Sequence, residues 1–135
     1  MITNPFEKIN AESFVSENDV ILIALSGGAD SIFLAEYFNS IKDKYSLTLK
    51  AAHIEHGIRG QESLEDCRFV EEYCKKNDIE CFMLHINAPD EAKNAGIGVE
   101  EYSRNRRYEF FNSIACDKIA TAHTLSDNIW LLHTS

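Results

Sequence analysis

Four short apolar runs recur along the chain: VILIAL at residues 20–25, LTLKAAHI at 47–54, IECFMLHI at 79–86 and KIATAH at 118–123. Each has the length of a strand. The first is apolar throughout, as a strand covered on both faces must be. Between them apolar residues return at helical spacing: Phe33, Leu34, Tyr37, Phe38 and Ile41 within 30–42, Phe69, Val70, Tyr73 and Cys74 within 64–76, then Val99, Tyr102, Arg106, Phe110 and Ile114 on a third segment. Strand and helix in strict alternation imply βαβ units and hence an α/β fold, a parallel sheet with helices on both faces. A short helix is also predicted over 5–16 through Phe6, Ile9 and Phe14. Pro89 and Gly96 to Gly98 are read as framing a loop, and a final helix is predicted from near Ser126. No repeat or linker divides residues 1–135, so one domain is expected.

Composition narrows the function classes. Twenty-two acids against 13 Lys plus Arg give a net charge of −9, the opposite of the basic face that a free-standing nucleic-acid binder carries. The bases cluster only at Arg104, Arg106 and Arg107. Charge therefore favours a small-molecule site. The longest apolar run, Val20–Leu25, is far too short to cross a bilayer, and MITNPFEKIN lacks the apolar stretch of a signal peptide. A soluble, cytoplasmic protein with no membrane partner is expected. Cys67, Cys74, Cys81 and Cys116 form no C-x-x-C pair, which leaves a zinc ribbon without support and fits a reducing compartment.

An open parallel sheet binds its ligands beyond the carboxyl ends of its strands. After the first strand stand Ser26, Gly27, Gly28, Ala29, Asp30 and Ser31, followed by a helix. Glycines let the backbone approach an anion, and the unpaired N–H groups of a helix start face it. The two serines add hydroxyl donors. An ordinary tight turn with Asp30 or Ser31 capping the helix is the simpler alternative. The Walker pattern is excluded by the lack of a lysine, and G-x-G-x-x-G by the adjacency of the glycines. Asp30 would repel a phosphate unless a divalent cation lay between them, the way Mg²⁺ is usually held.

Ser26 to Ser31 resembles S-G-G-x-D-S, the pyrophosphatase loop (PP-loop) of the N-type ATP pyrophosphatases. Three further segments are similar to those of tRNA(Ile)-lysidine synthetases within that group. HIEHGIR at 53–59 resembles H-V-N/D-H-G-L-R. EEYSRNRRYEFF at 100–111 resembles E-x-x-A-R-x-x-R-Y-x-F-F, and IATAHTLSDN at 119–128 resembles A-T-A-H-x-x-D followed by D, Q or N. The resemblance implies the adenine nucleotide alpha hydrolase-like, Rossmann-like fold. It implies an ATP-dependent ligase that forms a carbon–nitrogen bond between L-lysine and C2 of the wobble cytidine of tRNA(Ile), through an adenylated intermediate and with release of pyrophosphate. ATP and Mg²⁺ are its cofactors. By the same resemblance Ser26, Gly27, Gly28, Ala29, Asp30, Ser31 and Ile54 bind the nucleotide, Asp30 and Asp127 hold the metal, and Asp30, Arg104, Arg107, His123 and Asp127 are catalytic. One of Arg104 and Arg107, three residues apart, stabilises the adenylate. His53, His56 and His123 are also read as core or loop histidines with satisfied hydrogen bonds. The oligomeric state stays open, a homodimer being one option.

The family pattern breaks after Asn128. A glutamate is expected three residues after Asp127, where Trp130 stands, and a basic R-L-x-R-G helix is expected beyond it. The chain therefore resembles a shortened catalytic domain without the C-terminal tRNA-gripping domains, in which nucleotide binding persists and ligation is impaired. A non-catalytic nucleotide-binding fragment and a tRNA thiolase are the alternatives.

Overall fold

The four apolar runs become strands and the three helical stretches between them become helices, in the order β1 (Val20–Ala24), α1 (Ala29–Tyr45), β2 (Thr48–Glu55), α2 (Gln61–Lys76), β3 (Glu80–His85), α3 (Ala88–Ala95), α4 (Val99–Ser113), β4 (Lys118–Thr124) and β5 (Asn128–His133). The structure, a computed structural model, describes residues 15–57, 61–124 and 128–133. The helix expected over 5–16 lies outside the described residues, apart from Val15 and Ser16, which are not helical.

The strands form one sheet in the order β3-β2-β1-β4-β5, and the first four run parallel. Successive residues of β1 face opposite layers. Ile21 and Ile23 pack with Leu34, Phe38 and Ile41 of α1 and with Val70 and Cys74 of α2. Leu22 packs the other way, with Ala52, Ile119 and Phe111 of α4. Helices thus cover both faces, which is why the central strand carries no polar residue.

Two expectations fail. The segment between Pro89 and Gly96 is a helix, α3, rather than a loop. Asn87 caps it through the Asp90 N–H at 3.3 Å, Pro89 sits in its first turn, and Gly96 ends it in the left-handed region at φ 73°. Proline near the start and glycine past the end are helix punctuation, not loop punctuation. The final segment is a strand rather than a helix. β5 pairs antiparallel with β4, placing Trp130 opposite Thr121. The run Ile129 to Leu132 is short, apolar and partly β-branched or aromatic, which suits a sheet edge better than a helix.

Candidate nucleotide-binding site

β1 ends at Ala24, and the chain leaves the sheet through Leu25 into the glycine turn. Gly27 takes φ +93°, which a side chain tolerates poorly, and a Cβ there would lie 3.5 Å from Asp66 of α2. Gly28 is ordinary extended backbone at φ −78°, so its lack of a side chain clears space rather than permitting a conformation. The two serines bind each other. The Ser26 hydroxyl donates to Ser31 Oγ at 3.2 Å and accepts from the Gly28 N–H at 3.3 Å, and Ser31 donates to the Gly28 carbonyl at 2.9 Å. The capping alternative is not realised, because no side chain caps the first turn of α1. The first N–H groups of that helix are left facing outward with their partial positive charge. Asp30 lies half-buried in that turn, and its side chain makes no hydrogen bond among the described residues.

Beside the turn a cavity of ≈ 330 Å³ opens at the carboxyl ends of β1, β2 and β4. Ala24, Leu25, Ala52, Ile54 and Ala122 give it apolar walls, Tyr108 and Phe111 of α4 close it, and Ser26, His56, Arg107 and Thr121 supply its polar atoms. A second cavity of ≈ 310 Å³ adjoins it and shares His56 and Arg107, with Glu100, Ser103 and Arg104 on its far wall. Both arginines therefore line a cavity, but Arg107 alone lines both. Arg106, between them, is tied to Glu109 at 2.8 Å, whereas neither Arg104 nor Arg107 makes an ion pair among the described residues. The Arg107 guanidinium lies 5.6 Å from the Tyr108 ring centre.

His56 is held by its backbone. Its carbonyl accepts from the Ala88 N–H at 3.1 Å, and the following turn is fixed by Gly57, whose N–H donates to Glu55 at 2.6 Å. Gly57 has φ +70°, and a Cβ there would meet the Ile86 carbonyl at 3.0 Å. The His56 ring has a buried Nδ1 without a partner. Burial and the neighbouring Arg107 charge hold its pKa below the usual histidine value, so the ring is neutral near pH 7.

The remaining expected residues divide by position. Ile54 is in the first cavity wall. His123 falls in β4 with its side chain outside the described residues, as is Asp127 altogether. Among the described residues no three ligating side chains converge on a metal position. A carboxylate such as Asp30 suits a hard cation that takes its other oxygens from phosphate and water. No cysteine lines either cavity. Cys74 and Cys81 instead share a hydrogen bond across α2 and β3, which with burial pushes the Cys74 thiol up and leaves it unreactive.

Tyr108 and Phe111 were absent from the sequence-based site, yet the signal exists: Arg104, Arg107, Tyr108 and Phe111 follow the i, i+3, i+4, i+7 spacing of one helix face. The face expected through Val99 and Arg106 is partly exposed instead.

An open parallel sheet with an uncapped helix start behind a glycine turn, and an apolar cavity next to it, defines a nucleotide-binding α/β domain. Over residues 2–132 the chain matches the PP-loop domain family, and it belongs to that family. It is 37% identical over 131 residues to the tRNA(Ile)-lysidine synthase of Clostridium tetani, covering 94% of this chain and 28% of the relative. It is 37% identical over 125 residues to the enzyme of that name from Thermosipho africanus, covering 90% of this chain and 29% of the relative. The chain thus spans little more than a quarter of the length of these relatives. In fold it resembles the U34-tRNA thiolase NcsA from Methanococcus maripaludis, with a TM-score of 0.71, 21% identity, and coverage of 91% of this chain and 44% of the thiolase. Among the described residues no helix is long and apolar enough to cross a membrane.

Proposed function

We propose that this chain is a single ATP-binding domain of the tRNA(Ile)-lysidine synthase type, a cytoplasmic ligase unit that activates a tRNA base for attack by lysine. The observation that carries this reading is the uncapped start of α1 behind Ser26–Ser31, next to an apolar cavity large enough for a nucleoside. The adenosine half of ATP occupies that cavity against Ile54 and Phe111. The phosphates lie over the Gly27–Gly28 turn, where the Ser26 and Ser31 hydroxyls exchange their mutual hydrogen bond for phosphate oxygens.

Asp30 and Asp127 are the residues that would hold Mg²⁺, which on binding offsets phosphate charge and spares Asp30 its repulsion. The base oxygen of the cytidine attacks the α-phosphorus, and pyrophosphate leaves. The lysine amine then adds at C2 and AMP departs with that oxygen. Arg107, placed between the two cavities, is better positioned than Arg104 to stabilise the charge that develops on the transferring phosphoryl group. His123, in β4, and Asp127 are the further catalytic residues of this reading.

Trp130, placed in β5 opposite Thr121, supplies no carboxylate where the lysidine synthetases carry one. The net charge of −9 disfavours a phosphate backbone. Impaired ligation is therefore the expected behaviour of this chain by itself; the second reading is a non-catalytic nucleotide module, which binds ATP and releases no pyrophosphate. Calorimetry with Mg²⁺ and ATP tests the site. Pyrophosphate release and labelled-lysine incorporation with tRNA(Ile) separate the two readings. Failure of the parent chain to bind Mg-ATP would reject both. Lysine incorporation at about 1 per second or faster would show that Trp130 is tolerated.

A further inference from the structure

His53 lies on the opposite side of β2 from the nucleotide cavity. Ala52 and Ile54 line that cavity, whereas His53 is 5% exposed and not part of its wall. Its Nδ1 stands 2.7 Å from the carbonyl oxygen of Leu25. A carbonyl can only accept, so the Nδ1 carries the proton and donates.

The position of that carbonyl gives the contact its meaning. The β1–β2 ladder ends with Ala24 opposite Ala52, and the Leu25 N–H still donates to the Ala52 carbonyl at 2.9 Å. In a parallel ladder of this register the next rung would bring the Ile54 N–H to the Leu25 carbonyl. The His53 imidazole occupies that role instead. Leu25 is 1% exposed, so its carbonyl needs a partner inside the protein. With a side chain as the partner, β1 leaves the sheet at residue 25 and the next N–H, of Ser26, turns toward Ser31 Oγ at 3.2 Å. With a backbone rung there, the strand would stay extended for another residue and the glycine turn would open farther along the chain.

We infer that His53 is a positioning residue for the phosphate loop, replacing one rung of the sheet by an imidazole so that the Ser26–Ser31 turn begins at a fixed place. It touches no substrate. The consequence for ATP affinity rests on the nucleotide reading above, while the consequence for the loop itself does not.

The test uses His53→Leu, His53→Asn and His53→Gln in the full chain. The Asn amide nitrogen matches Nδ1 in reach, whereas the Gln amide lies one methylene too far out. Hydrogen exchange of the Ser26 and Gly28 amides in the ligand-free protein is the first readout and Mg-ATP affinity the second. His53→Leu is expected to speed loop exchange about tenfold and weaken ATP by a similar factor, the scale of one buried hydrogen bond, with exchange in β3 and α4 unchanged. His53→Asn restores both and His53→Gln does not. If His53→Leu fails to fold, the Asn and Gln pair decides the question alone.

Unchanged loop exchange, exchange accelerated evenly across the sheet, or a Gln variant equal to the Asn variant would overturn the assignment. A parent chain that does not bind ATP but whose loop exchange responds as stated would support the positioning role and reject the nucleotide reading.

Discussion

The two ends of the parallel sheet are built on opposite principles. At the amino end Asp19, Asp117 and Lys118, beside β1 and β4, are all paired. Lys118 reaches Asp19 at 2.5 Å, Asp19 also accepts from the Ser16 N–H at 2.8 Å, and Asp117 accepts from the Val20 N–H at 2.8 Å and donates its own N–H to the Val20 carbonyl. At the carboxyl end the same strands open on a cavity whose wall includes Arg107 and a histidine with an unpartnered ring nitrogen, beside a helix start without a cap. One end is finished within the fold, and the other keeps polar groups unpaired among the described residues. Unpaired polar groups cost stability, so a chain that leaves them at one end must compensate at the other.

Substitutions can pull the two ends apart. The largest effect is expected at the amino end. Lys118→Met takes the Lys118 ammonium from the largely buried Asp19 carboxylate and should cost about 3 kcal/mol of stability, read by urea unfolding, with Mg-ATP affinity of the folded protein unchanged. A matching loss of affinity would show that the ends are coupled. At the carboxyl end Gly27→Val forces a branched side chain into φ +93° and toward Asp66. ATP affinity should fall more than about tenfold with about 1–3 kcal/mol of backbone strain. Gly28→Ala meets only Ser26 Oγ at 3.5 Å and should leave stability nearly unchanged while weakening ATP. Equal ATP binding by parent and Gly27→Val would move the phosphate site elsewhere.

Arg107→Ala should weaken Mg-ATP by about tenfold, or about 1.4 kcal/mol, against little effect from Arg104→Ala. The reverse order would assign the inner position to the wrong arginine.

The smallest effect concerns His56. Its folded pKa lies below 6.5, so as pH falls through that value the unfolded chain takes up the proton first. Stability from this group is present above about pH 6.5 and declines below it. His56→Gln should flatten that part of the decline in thermal unfolding measured between pH 7 and pH 5. An unchanged slope would place the proton uptake on other groups.

Much of this architecture was legible because burial on two faces leaves a strong imprint. VILIA can be little else than a central strand, and α1 and α2 declare themselves through apolar spacing. The Ser26–Ser31 turn was legible for a chemical reason, the need for glycine where the backbone takes the positive φ seen at Gly27. What escaped was whatever depends on the partner of an element rather than on its own pattern. Pro89 and Gly96 read equally as loop or helix ends until Asn87 and Glu91 are seen bonding the first turn, the Asn87 N–H donating to Glu91 at 2.6 Å. The segment 128–133 is apolar enough for either state, and the open edge of β4 decides it. Arg104 and Arg107 cannot be ranked by spacing, since only the position of β2 and His56 shows that one faces both cavities. The Cys74–Cys81 contact joins two elements and is invisible to a search for adjacent cysteines.

The strand order 3-2-1-4-5 has a consequence for how the molecule is made. β1 is the central strand, yet one of its neighbours, β4, begins only at Lys118. While the ribosome is still translating the middle of the chain, β1 can pair with β2 and β2 with β3, but the other side of β1 keeps its backbone groups bare. The contact of Lys118 with Asp19 likewise joins groups 99 residues apart in the chain. An apolar strand with an open flank is the kind of surface on which nascent chains stick to one another. Closing so distant a contact also carries the entropy of a long loop. Pauses in translation before Lys118 should therefore be the moments at which this polypeptide most needs a chaperone.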